Sequence, residues 1–341
     1  MTTITSLNRT TSPPAIAPAG GAPAPASSAT AASPSPATVV SIGAAAPALV
    51  TTTALLWENR TRSGSAALMA QNIGNEPLAG RLKGLGGELL KQIAYDGADF
   101  SQSVQLAPGG TQANTYDMLV APSQVSQHGM GDNQITLNIT TRSGVKVTLK
   151  LDAGDNSIAV EAKADGELSE AERKALGKLS EAFQKSIDGL TEDPPHIALA
   201  GLTQFDSSVL ASVDLKGQVK INAKDTQTLD FHADSTQRTV RFNGPAGSAS
   251  IGVDLSQPRT WGSKEQQATA VKNYLGQVDQ AGTRGRGNRD MIGMFKDAFT
   301  DMNSDYGTPP AAPPMSITLT DQDRAMTTGL ADFNASFSQA E

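Results

Sequence analysis

A chain of 341 residues with 38% apolar and only 4% aromatic content must build any core from Val, Ile, Leu and Ala. Its formal net charge of −7 excludes a general binder of phosphate backbones, which needs basic surface to displace counterions. With no cysteine, disulfides, thiolate metal sites and thiol catalysis are excluded as well.

Residues 1–53 are mostly Ala, Pro, Ser, Thr and Gly with a single charge, Arg9. Repeated prolines forbid a continuous helix, and too little bulky apolar surface is present to offset the entropy of ordering. A disordered, partly polyproline-like tail is expected, serving either as a spacer or as an uncleaved export signal. Met1 to Ser12 lack the apolar centre of a cleavable secretory signal. The expected location is therefore either the cytoplasm or outside the cell by a route that reads no such signal. No apolar run is long enough for a transmembrane segment.

Residues 54–133 read as a helical N-terminal segment in which order begins near Trp57. Ser65 to Asn72 predict a short helix. Leu78, Leu82, Leu85, Leu89 and Ile93 predict a longer one, since three- and four-residue spacings place them on one stripe. Gly80, Gly84 and Gly87 weaken that helix but let another element approach closely. The Gly84-Leu85-Gly86-Gly87 run lacks the strand–turn–helix setting of a nucleotide loop. Residues 97–133 read as irregular.

Residues 134–258 are expected to form an antiparallel β region with a helix inserted at 168–190. Ile135, Leu137 and Ile139, then Val147, Leu149 and Leu151, then Ile158 and Val160 alternate with polar residues, the period of half-buried strands. Ser169 and Glu172 fit a capping box, and Leu176, Leu179, Phe183, Ile187 and Leu190 supply the helix stripe. A second run of alternation extends from Ala211 to Val253, with Gly217 read as a bulge or bend.

Residues 259–341 are expected to be C-terminal helices. One opens at Ser263 and Gln266, and one is striped by Met291, Ile292, Phe295, Phe299 and Met302. The last opens at Thr320 and Asp323 and carries Met326, Leu330, Phe333 and Phe337. The Arg/Gly-rich stretch 282–290 reads as a basic loop between two of them.

Two sets of residues are candidate metal ligands. Asp165-Gly166 through Glu172 resembles the back half of a calcium loop whose first position would be Glu161, but Lys163 stands at the third, where an oxygen ligand is needed. A turn followed by a capping box explains the same residues without calcium. Asp230, His232 and Asp234 share one face of a strand and could take a divalent ion. Alternation with Leu229, Phe231 and Ala233 equally describes a solvated face, with Arg241 across the hairpin from Asp230. His128 and His196 fall in loops. No nucleophile elbow, Walker loop or zinc H-E-x-x-H is present, so no catalytic residue is assigned.

Three segments resemble a family of uncharacterised proteins from pseudomonads and related proteobacteria, over most of the chain beyond the tail. They are Gly166-Glu167-Leu168-Ser169 through Leu190, Gly201-Leu202-Thr203-Gln204-Phe205-Asp206, and Gly329-Leu330-Ala331-Asp332-Phe333. The resemblance implies no established activity. Some members carry a lactate dehydrogenase name. This chain departs from that enzyme class, lacking the strand-linked glycine fingerprint, the alternating β–α pattern, and a histidine with a readable carboxylate partner.

The expected fold is α+β: antiparallel sheet regions, packed as one sandwich or apart, with an inserted amphipathic helix and flanking helices. The expected function is that of a non-enzymatic interaction protein meeting an unidentified protein partner through its folded module. The alternatives are a hydrolase or other enzyme with a loop-assembled site, and a calcium-dependent binding module at 161–172. An interaction protein should show a wide apolar patch or an unpaired sheet edge.

Overall fold

The computed structural model describes residues 55–59, 62–76, 78–107, 126–258, 261–306 and 329–340. The expected tail, the Pro-rich link after Thr308 and the helix start at Thr320 and Asp323 lie outside them. Among the described residues no helix is long and apolar enough to cross a membrane.

The alternation from Gln134 onwards gives what it predicts. Strands β3 (Asn133–Thr141), β4 (Lys146–Ala153) and β5 (Ser157–Ala164) form one meander. Strands β6 (Leu210–Lys220), β7 (Thr226–Asp234), β8 (Gln237–Gly244) and β9 (Gly247–Asp254) form another. Among the described residues they are not separate sheets, and no sandwich forms. β3 pairs antiparallel with β6, Leu137 opposite Leu215, so both meanders are halves of one ten-stranded sheet. Its order is β1-β2-β5-β4-β3-β6-β7-β8-β9-β10, with β1 at Leu55–Trp57, β2 at Phe100–Leu106 and β10 at Asp332–Gln339.

One face of this sheet is apolar and helix-covered; the other is largely polar and open, except where residues 127–129 cross it and bury Ser103, Asp152 and Ala159. Ile135, Leu149, Val160, Leu215, Phe231, Val240 and Ile251 are fully buried on the first. Helices α1 (Gly64–Asn72), α2 (Leu78–Leu82), α3 (Leu85–Asp96) and α4 (Glu170–Thr191) cover the half built on β3–β5 and reach β6. The short α5 (Ala200–Thr203) joins α4 to α7 (Arg289–Met302), and α7 lies on β8 and β9 under α6 (Lys264–Gly285).

The capping boxes at Ser169/Glu172 and Ser263/Gln266 both form and start α4 and α6 where expected. Other expectations are corrected. The stripe from Leu78 to Ile93 is two helices, because Gly84 takes φ 75°, a left-handed conformation that ends one and begins the next. Gly217 is neither bulge nor bend. It sits in register opposite Ile135 and Leu229, and a Cβ there would lie 3.1 Å from Leu190 Cδ1 of α4. Residues 332–339 are not a helix but strand β10, since Phe333, Ala335 and Phe337 lie on the helix-covered side while Asn334 and Ser336 lie on the open side.

Within 97–133, expected to be irregular, Phe100–Leu106 forms strand β2 between β1 and β5. The glycines of the α3 stripe do allow close approach. A Cβ on Gly87 would lie 3.1 Å from the Ser180 carbonyl of α4, and one on Gly86 would collide with Ile187.

Candidate functional site

The three carboxylates of the calcium candidate have separate structural tasks. Glu161 stands on the open face and pairs with Lys150 at 3.1 Å. Asp165 accepts the Lys146 amide at 2.6 Å. Glu172 accepts Ser143 Oγ at 2.6 Å, Ser169 N at 2.8 Å and Ser169 Oγ at 2.7 Å. The Ser143 hydroxyl, with help from Ser169 and Thr141, holds its carboxyl down at about 2. Glu172 thereby ties the start of α4 to the β3–β4 turn.

His232 sits on the open face between two carboxylates. Its Nδ1 is 2.7 Å from Asp214 Oδ1 and its Nε2 is 3.1 Å from Asp234 Oδ2. Burial disfavours the imidazolium, but the hydrogen bonds and charges of Asp214 and Asp234 outweigh it and raise the pKa above the ordinary 6.5. With both ring nitrogens engaged, the ring has no lone pair free for a metal or a substrate proton. It acts as a cross-strand clamp. Asp234 Oδ1 also accepts Thr236 N at 2.6 Å and Gln237 N at 2.9 Å, fixing the β7–β8 turn. Asp230 lies in register between Lys216 and Arg241, as its strand position predicts, and takes no part. Asp214 was missed because only the β6–β7 register brings it beside His232. Among the described residues, no group of three or more His, Cys, Asp or Glu side chains is arranged to hold a metal ion.

A second histidine cluster draws on four segments that share no sequence spacing. His128 Nε2 lies 3.1 Å from Ser101 Oγ and 3.2 Å from Glu58 Oε2. Ser103 Oγ donates to Glu58 Oε2 at 2.8 Å, and Gly129 N donates to Asp152 Oδ2 at 3.1 Å. Burial raises the Asp152 carboxyl pKa, against the opposing pull of Gly129 N and His128. A serine beside an imidazole and a carboxylate has the parts of a nucleophile–base pair. Here the serine and carboxylate compete for the same Nε2. Nδ1, where an orienting carboxylate belongs, is buried with no hydrogen-bond partner among the described residues.

The third polar centre is structural. Arg238, 4% exposed on the covered face of β8, donates to the carbonyls of Met302 (3.2 Å), Ser304 (2.6 Å), Asp305 (2.8 Å) and Thr203 (3.3 Å). Its guanidinium also lies over the Tyr306 ring, 5.7 Å from the centroid. Burial lowers its pKa to about 10, leaving it charged at neutral pH. The Arg/Gly-rich stretch is shorter than a loop. Gly282 and Arg284 complete the last turn of α6, Arg286 is its left-handed cap, and Asn288 already caps α7. The His196 ring lies 3.5 Å from Glu192, and its backbone amide donates to Gly189 O at 2.9 Å.

The remaining feature is β10. Its eight residues pair with β9 one for one from Asp332 opposite Asp254 to Gln339 opposite Gly247. Phe333 packs edge-on against Tyr274 (5.1 Å) and Phe299 (5.2 Å), and Phe337 against Phe295 (5.9 Å). Phe337 remains 38% exposed. Among the described residues no strand pairs with the outer side of β10. Natural edge strands are protected by shortness, lysine, proline or a bulge. The opposite edge, β1, has three residues. β10 has none of these devices, and its one charge is Asp332 at the end. Compared with protein-family models, with curated proteins and with solved structures, the chain finds no match.

Proposed function

We propose that this chain is a non-enzymatic interaction protein whose folded module takes an extended segment of a protein partner along the free side of β10. The observation that carries this reading is the long edge left unpaired among the described residues: eight residues in unbroken register, one of them the exposed Phe337. Main-chain hydrogen bonds along such an edge supply affinity, and alternate side chains supply selectivity. A photo-reactive benzoylphenylalanine in place of Ser336, on that edge, should yield a discrete cross-linked adduct in the producing cell. The same group in place of Thr148, inside the sheet, should not. Absence of an adduct at Ser336, or equal adducts at both positions, overturns the reading.

A second reading, hydrolysis, is favoured by the 3.1 Å approach of Ser101 Oγ to His128 Nε2. It requires a generic ester such as p-nitrophenyl acetate to be cleaved by the wild type and not by Ser101→Ala. Equal rates for the two remove it.

A further inference from the structure

We propose that the segment taken by β10 is the β10 of a second copy of this chain, running antiparallel about a two-fold axis through Ala335. The inference rests on the strand-addition reading above and names its partner.

The residues of β10 are self-complementary about that position. With Ala335 opposite its own counterpart, Asn334 meets the partner's Ser336, Phe333 meets the partner's Phe337, and Asp332 meets the partner's Ser338. Directly opposed residues in an antiparallel pair share a face. Each Phe333–Phe337 pair therefore forms on the helix-covered side, where the 38% of Phe337 left exposed would be covered. The amide–hydroxyl pairs form on the open side. Asp332, the strand's only charge, faces a hydroxyl instead of a second carboxylate.

Neighbouring registers lack this match. Moving the axis to Asn334 or Ser336 sets a phenylalanine opposite Ala335 and loses both aromatic pairs. The axis stands perpendicular to the sheet, so the helices of both copies stay on one side and a single sheet runs through the pair. Edge pairing alone is a small contact, which sets the affinity at the weak end, in the micromolar range.

The absence of cysteine from the chain allows a background-free test. Under mild oxidation, Ala335→Cys should cross-link to a disulfide dimer. Asn334→Cys and Ser336→Cys should each cross-link poorly alone and efficiently when mixed. Sedimentation of the wild type should show reversible dimers at tens of micromolar. Phe337→Lys should weaken them by more than about tenfold while leaving the circular dichroism spectrum unchanged.

A wild type that stays monomeric, with Ala335→Cys cross-linking no better than Thr148→Cys, overturns self-pairing. If photo-cross-linking at Ser336 then still gives an adduct of a different mass, strand addition stands and only the second copy is ruled out. If it gives none, both readings fall together.

Discussion

Replacing Arg238 with methionine isolates what one buried cation does for the second half of the sheet. Methionine fills much of the arginine stem but donates no hydrogen bond. Four carbonyls lose their donor. Those of Met302 and Thr203 are buried, so neither can turn to water, whereas those of Ser304 and Asp305 are partly solvated and rehydrate. An orphaned buried carbonyl costs about 1–3 kcal/mol, and removing a buried charge returns part of that. The cation also opposes the negative end of α7, a contribution of about 0.5–1 kcal/mol that is lost with it. Together these predict a loss of about 3–5 kcal/mol. A domain of this size loses ~3 kcal/mol or more of stability per molar urea, so the midpoint should fall by about 1–1.5 M. Arg238→Lys keeps the charge without the planar fork and should fall between the two. A methionine variant within about 0.3 M of the wild type would refute the view that Arg238 holds α7 and α5 to β8.

Three further outcomes follow from contacts already described. Gly86→Ala pushes a methyl group into Ile187 and towards Phe183 at 3.0 Å, so despite better helix propensity it should cost about 1–2 kcal/mol, read as a lower melting temperature. Because the folded-state pKa of His232 is raised above 6.5, its stabilising contribution is complete below that value and disappears as pH rises through the folded pKa. The stability gap between wild type and His232→Gln should therefore be larger at about pH 5.5 than at about pH 8.5, and solvent screening keeps it below about 1 kcal/mol. Glu172 behaves oppositely: its folded pKa is lowered from 4.5 to about 2, so its contribution is present above 4.5 and lost as pH falls through the lower value. Glu172→Gln should destabilise by about 0.5–2 kcal/mol at neutral pH and by progressively less as pH falls below 4.5 towards 2, measured by urea titration at each pH.

The elements that could be read in the sequence are those whose pattern and end signals agree. Strands β3 to β9 alternate cleanly, and α4 and α6 open on capping boxes, so local chemistry and burial point the same way. β2 escaped notice because Gln102 and Ser103 are buried polar residues, satisfied by Asn59 O and Glu58 from a distant segment. β10 misled for a different reason. Phe333 and Phe337, four apart, suit a helical stripe, but they also share a parity, and only the presence of β9 alongside decides for a strand. The His232 clamp was two-thirds legible, its missing member lying across a strand pair. The Glu58–Ser101–His128 cluster had no one-dimensional signature at all, since each residue arrives from a separate segment.

The pairing of β3 with β6 bears on how the molecule assembles. Each meander joins neighbours through tight reversals and can zip up early, but the seam between Leu137 and Leu215 closes only after α4 has brought the later half back across the earlier one. Joining the halves therefore carries a larger loop-closure cost than either meander, and any species in which they are unjoined leaves the margins of β3 and β6 bare. Conditions that delay that joining expose the chain to sticking to its neighbours well before its finished surface would allow it.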